Sequence, residues 1–140
     1  MENLYVIDGK NIVDFDSLFK EFARAVNAPN GYFGRCLQSF DDCLFGGFGL
    51  EAPCKIVWKN SSISRQYLDS IMLEKYYEEI YRKEILEDGS YITEEGKEYV
   101  IKTIESAKKG EKNMFDEVVE IIMSITERAW DGWSIELILE

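Results

Sequence analysis

Three short apolar runs, placed far apart in the chain, constrain the fold most: Leu4-Tyr5-Val6-Ile7, Lys55-Ile56-Val57-Trp58 and Ile135-Glu136-Leu137-Ile138-Leu139. Each has the length and the β-branched or aromatic content of a buried strand. Asp8-Gly9 stops the first run, and Pro53 stands just ahead of the second. Long stretches with helical spacing lie between the runs, so the strands cannot pair as tight hairpins. A parallel sheet follows, with right-handed crossovers carrying helices over it.

The intervening stretches give the order β-α-α-β-α-α-α-β. Asp14 or Asp16 is placed to cap a first helix, because a carboxylate accepts the free N–H groups of a first turn. Leu18, Phe19, Phe22 and Val26 then share one face. That helix stops near Asn27, and Pro29-Asn30-Gly31 is loop chemistry. A second helix is predicted from about Tyr32 to Leu44, with Leu37, Phe40 and Leu44 inward and Gly46, Gly47 and Gly49 breaking it. Residues 62–88 read as one long helical segment with a stripe from Tyr67 to Ile85, stopped by Asp88-Gly89-Ser90. Thr93 with Glu94 and Glu95 opens the next helix, although Thr93-x-x-Gly departs from a capping box. It runs to about Lys109. The last helix covers about 114–130, with Phe115, Val118, Val119 and Ile122 on its inner face. No linker or repeat interrupts the chain, so a single domain is expected.

Composition narrows the chemistry. The 140 residues contain no histidine, which removes the commonest general base and any His-Cys metal site. Cys36, Cys43 and Cys54 form no CxxC pattern and read as reduced, mostly buried thiols. Trp58, Trp130 and Trp133 are expected in the core. No apolar run is long enough for a membrane helix, and Met1-Glu2-Asn3 does not open a signal peptide, so the expected location is the cytoplasm. The net charge is −11, and residues 114–140 hold 7 acids against Arg128 alone. Such a field repels nucleic acid and attracts basic surfaces. The same excess also serves solubility.

Four segments carry a family resemblance. Tyr32-Phe33-Gly34-x-x-Leu37-x-x-x-x-Asp42-Cys43-Leu44 is the most specific one, preceded by the strand and turn Tyr5-Val6-Ile7-Asp8-Gly9-Lys10. Ile56-Val57-Trp58 and the terminal Gly132-Trp133-Ser134-Ile135-x-Leu137-Ile138-Leu139 complete it. Together they resemble the barstar-type ribonuclease inhibitors over about residues 3–60 and 114–140, with 62–113 as a helical insertion. The resemblance implies an α/β fold: a three-stranded parallel sheet with helices packed around it. It also implies an inhibitor rather than an enzyme, needing no cofactor and no metal. The inhibitory surface in that family is the second helix and the loop before it, helped by acids at the end of the last helix. By position, Tyr32 and Phe33 supply loop aromatics, Asp42 the carboxylate that enters the nuclease active site, and Glu127 and Asp131 the supporting acids. Departures are substantial. The family's Asn is Cys36 here, a contacting Asp is Gln38, and a Trp beside the key Asp is Asp41. The aromatic after the helix is supplied by Phe45 or Phe48. So many changed contacts imply a nuclease other than barnase.

The chemistry is consistent on its own terms. A ribonuclease cleft carries cations for phosphate, and carboxylates fixed on a helix can imitate phosphate there. Gln38 and Asp42 stand at i, i+4 and share a face, with Asp41 beside them. The expected partner is a basic ribonuclease toxin encoded by a neighbouring gene and bound one to one, without contact to nucleic acid or membrane. The expected contact residues are Tyr32, Gln38, Asp41, Asp42, Phe45, Phe48, Glu127 and Asp131. Two rivals remain: an acidic adaptor for some other basic protein, and a small hydrolase holding Mg2+ on Asp41, Asp42, Glu127 and Asp131. A solvated helix face would show the same acids.

Overall fold

A computed structural model describes residues 2–87 and 92–140. The elements are β1 (Asn3–Asp8), α1 (Phe15–Val26), α2 (Leu37–Cys43), β2 (Cys54–Lys59), α3 (Ser61–Tyr67), α4 (Ser70–Ile80), α5 (Glu94–Lys108), α6 (Met114–Arg128) and β3 (Ile135–Leu139). The three strands form one parallel sheet in the order β1-β2-β3. The α/β reading, with helices on the crossovers, therefore holds. The chain divides into two compact units, Met1–Tyr67 with Val118–Glu140, and Leu68–Glu117. Helix α6 runs through the boundary.

In the sheet unit the register runs from Asn3↔Cys54 to Asp8↔Lys59 on one side of β2, and from Cys54↔Ile135 to Trp58↔Leu139 on the other. The central strand buries Cys54, Ile56, Val57 and Trp58. β1 is an edge, and Leu4 and Val6 are exposed where the sequence suggested full burial. Rings fill the interior. Phe22 stands 4.9 Å from Phe40, 5.6 Å from Trp58 and 6.0 Å from Phe33, centroid to centroid, with edge and stacked geometries that aromatic quadrupoles favour. The Trp58 indole N–H donates to Ser64 Oγ at 3.0 Å, and that hydroxyl donates to the Gly9 carbonyl at 3.1 Å.

Asp14 caps α1, accepting from the Ser17 N–H at 2.7 Å. Glu21, on the inner side of α1, is buried. It accepts from the Asp8 N–H at 2.7 Å, Asn11 Nδ2 at 3.1 Å and Arg24 Nε at 2.8 Å. Burial raises the pKa of this carboxyl, but the bonds from Arg24, Asp8 and Asn11 outweigh it and hold the pKa below its ordinary value.

The second unit departs from the single helix expected over 62–88. α3 ends at Tyr67, and Asp69 caps a new helix by accepting from the Met72 N–H at 2.9 Å. A π-helical stretch, Tyr81–Glu87, follows α4. The expected stop at Asp88-Gly89-Ser90 lies outside the described residues. Thr93 does cap α5, accepting from the Gly96 N–H at 3.0 Å. At the centre is Glu117, buried and accepting from the hydroxyls of Tyr77 and Tyr99 and, at 2.9 Å, from Lys112 Nζ. Among the described residues no helix is long and apolar enough to cross a membrane.

Candidate partner-binding site

The segment from Tyr32 to Phe48 is built to fix one short helix. α2 begins at Leu37, not near Tyr32 as its apolar spacing suggested. Two local features set that start. Gly34 takes φ +99°, and a Cβ there would lie 2.7 Å from the Phe40 backbone nitrogen, so only glycine fits the approach of the loop to the helix. Cys36 then acts as N-cap. Its thiol accepts from the Ser39 N–H at 3.5 Å, while Ser39 Oγ accepts from the Cys36 N–H at 3.1 Å. This is a capping box with sulfur in place of a hydroxyl. Burial pushes the Cys36 thiol up, but hydrogen bonds from Ser39 and Gln38 outweigh it and set the thiol below its usual range.

The inner side of α2 is closed: Leu37, Phe40, Cys43 and Leu44 are all buried. Gln38 and Asp42 point the other way and are exposed. Asp41 is only partly exposed, because Arg128 reaches it from the end of α6. The Arg128 guanidinium binds both Asp41 oxygens, takes Ser124 Oγ at 2.9 Å and lies 5.3 Å over the Phe45 ring. Arg128 is thus spent within the chain, leaving Glu127 and Asp131 exposed on either side of it. The acid face expected from Asp41 and Asp42 together is in fact split. One carboxylate is neutralised internally and the other faces water.

A second tie joins α2 to the turn between α6 and β3. Trp133 Nε1 donates to the Leu44 carbonyl at 2.9 Å. Gly46, at φ +102°, lies under that indole, where a Cβ would stand 2.8 Å from the ring. Trp133 is half-buried, and Trp130 is 59% exposed, against the expectation that both belong to the core. Trp58 alone of the three is fully buried. The aromatics before and after α2 pair with each other: the Tyr32 and Phe48 rings are 5.8 Å apart, with Tyr32 half-buried and Phe48 36% exposed. Phe33 is packed in the core.

The sequence candidates therefore fall into three groups. Asp41 and Phe45 meet Arg128 at the C-terminal end of α2, and Glu127 and Asp131 are exposed near it in the chain. Tyr32 and Phe48 form a separate aromatic pair, and Gln38 and Asp42 stand free on the helix between its ends. Arg128, Trp130 and Trp133 were not anticipated as part of this surface. The lone base in an acidic tail was the available signal for Arg128.

The model of the Barstar family, described as barnase inhibitor, matches residues 2–80. The chain belongs to this family. Membership makes its function one of ribonuclease-inhibitor type and its partner a ribonuclease. The match takes in β1 through α4, so it continues past residue 60 into the stretch read as an insertion, and it does not extend to residues 114–140, which the resemblance read from individual residues also covered. It includes all of α2 and the loops on both sides. No curated protein matches the chain.

Proposed function

We propose that this Barstar-family protein neutralises a basic ribonuclease toxin by seating Asp42 in the phosphate-binding cleft. The observation that carries this reading is the state of Asp42: an exposed carboxylate on a helix whose opposite side is fully buried. The capping box at Cys36 and the bond from Trp133 to Leu44 restrain the two ends of that helix. A phosphate mimic held this way loses little conformational freedom on binding. Gln38 extends the same face, and Tyr32 with Phe48 offers an aromatic anchor beside it. Glu127 and Asp131 add negative potential that steers a cationic partner. In this reading the inhibitor acts in the cytoplasm as a one-to-one complex, and the toxin is encoded beside it. Asp41 supports the helix through Arg128 rather than meeting the enzyme. The reading as a Mg2+ hydrolase gains no support, since among the described residues no three His, Cys, Asp or Glu side chains are gathered to hold a metal.

The test is inhibition of RNA cleavage by barnase and by a panel of small basic microbial ribonucleases, including any encoded next to this gene. One of them is expected to be inhibited at equimolar protein. Asp42→Ala should then weaken binding by about 2 kcal/mol or more, as for a buried interfacial anchor. Full inhibition by the variant would remove the α2 face from the interface.

A further inference from the structure

The sheet has two edges, and the fold treats them differently. On β1 the backbone groups of Leu4, Val6 and Asp8 point away from β2, since the Asn3 N–H donates to the Pro53 carbonyl on the other side. Helix α1 closes the far end of that edge. The Val6 carbonyl accepts from Arg24 Nη2 at 3.1 Å, and the Asp8 N–H donates to Glu21 Oε2 at 2.7 Å. On β3 the Ser134 carbonyl accepts from the Cys54 N–H at 3.0 Å, and the Glu140 N–H donates to the Trp58 carbonyl at 2.8 Å. Even-numbered residues of β3 therefore bond to β2, and Ile135, Leu137 and Leu139 turn their N–H and C=O groups outward. Ile135 is already occupied. Thr126 Oγ1 accepts from its N–H at 3.1 Å and donates to its carbonyl at 3.4 Å. Among the described residues nothing bonds to the outward groups of Leu137 and Leu139. Leu139 is 42% exposed, and Leu137 and Ile138 are partly exposed.

An open strand edge is a template for another strand, and proteins blunt it with lysine, proline or a bulge. Ile135-Glu136-Leu137-Ile138-Leu139 contains neither lysine nor proline. We propose that β3 pairs antiparallel with β3 of a second copy of this chain, about a two-fold axis through Ile138, joining two sheets into one. A second copy fits the edge because its β3 presents the same two open residues at the same spacing. With Ile138 on the axis, Leu137 faces Leu139 of the other copy. Each pair exchanges both backbone bonds, so every open group on the two strands finds a partner. An axis through Leu137 would instead set Leu139 against Ile135, whose groups Thr126 holds. The contact is isologous, so it uses up the open edge and stops at a dimer. The opposing terms are electrostatic and screened by salt. Glu136 faces Glu140 of the second copy, offset in part by Lys55 Nζ, 3.8 Å from Glu136 Oε2, and each copy carries a net charge of −11. The pairing is independent of the inhibitory reading, since the open edge bears none of the residues assigned to the ribonuclease.

Sedimentation equilibrium of the full chain tests it. At about 0.5 M salt the dimer fraction should rise between about 10 μM and 1 mM, as for a small and weak interface, and it should fall at about 0.05 M salt. Leu137→Pro and Leu139→Lys should each weaken association at least about tenfold. Neither backbone bonds to β2, so both variants are expected to fold, with circular dichroism as the control. Glu140→Lys should tighten association about threefold, a gain that misfolding cannot mimic. Ile138→Cys should give a disulfide-linked dimer on mild oxidation, because a pair of this kind holds its Cα atoms within disulfide reach, and Glu136→Cys should not. Asp42→Ala should change none of this. A chain that stays monomeric at about 1 mM in high salt overturns the proposal. So does a dimer that survives Leu137→Pro and Leu139→Lys, or one that cross-links equally through Glu136→Cys. If the chain is monomeric alone but Leu139→Lys weakens its hold on a ribonuclease, the edge belongs to that enzyme and the self-pairing is overturned.

Discussion

Each compact unit buries one glutamate, and the two are kept in different company. Glu21, in the sheet unit, receives a backbone N–H, an amide and a guanidinium. Glu117, in the unit Leu68–Glu117, receives two phenols and an ammonium. Both carboxylates are almost inaccessible, at 3% and 2% exposure, so burial does not distinguish them. The donors do. Around Glu21 they are a cation and fixed groups of the backbone and a loop, and they hold its pKa down despite desolvation. Around Glu117 the phenols bear the consequence: burial first, and then the charge of Glu117, push Tyr77 and Tyr99 up and keep both protonated. A buried acid is thus stabilised by the donors the fold brings to it, and which side chain absorbs the cost depends on what those donors are.

The largest expected effect is at Glu117. Glu117→Ala leaves the buried Tyr77 hydroxyl without its acceptor and opens a gap among α4, α5 and the start of α6, all within one unit. A loss of about 3 kcal/mol in urea unfolding is expected, from an unsatisfied buried hydroxyl, a lost ion pair and a cavity. Tyr77→Phe together with Glu117→Leu should recover part of that loss, because replacing both partners leaves nothing unpaired. A single substitution costing under about 0.5 kcal/mol would mean that the phenols find water and that Glu117 does not organise the unit.

Neither glutamate was legible in the sequence. Each sits on a helix where a charged residue is expected to face solvent; among its partners only Arg24 and Lys112 are near in sequence, and the others lie ten or more residues away. The sheet was legible, because three apolar runs with helical spacing between them admit few other arrangements. Helix starts were less so. Gly34 and Cys36 decide where α2 begins, one through a close approach to Phe40 and the other through a sulfur cap, and neither is an apolar-periodicity signal. Within the site, Asp42 was readable as an exposed carboxylate from its position opposite Leu37 and Phe40. The fate of Asp41 was not, since its partner Arg128 lies 87 residues away.

A middle-sized effect sharpens the contrast through pH. Glu21→Gln keeps the shape but removes the charge that Arg24 and the Asp8 N–H recognise, with a loss of about 1–2 kcal/mol near neutrality. The sign follows from the lowered pKa of Glu21 in the folded protein. The unfolded chain binds the proton more readily, so the stabilisation is fully present above the ordinary value of 4.5 and disappears as pH falls through the folded value. The difference between wild type and Glu21→Gln should therefore be constant from pH 8 to about pH 5 and narrow below it. A gap that persists undiminished at pH 2 would assign the effect to packing and not to ionisation.

The smallest effect tests the same rule on sulfur. All three cysteines are free and lie in the sheet unit. Cys43 and Cys54 are buried with little help from donors, and desolvation pushes them up to about 11 and about 12. Cys36 is half-buried, and the donors at the start of α2 hold it below its usual range in spite of that burial. Iodoacetamide at pH 8 should therefore label Cys36 first, because the thiolate is the nucleophile. Peptide mass mapping should find Cys43 and Cys54 unmodified until the protein is unfolded. Ser39→Ala removes the hydroxyl that bonds to the Cys36 sulfur while leaving the accessibility of the thiol nearly unchanged. If donors set the reactivity, labelling of Cys36 slows in that variant even though its sulfur is no more buried. If labelling stays the same or speeds up, accessibility alone governs this thiol, and the rule drawn from the two glutamates does not extend to sulfur.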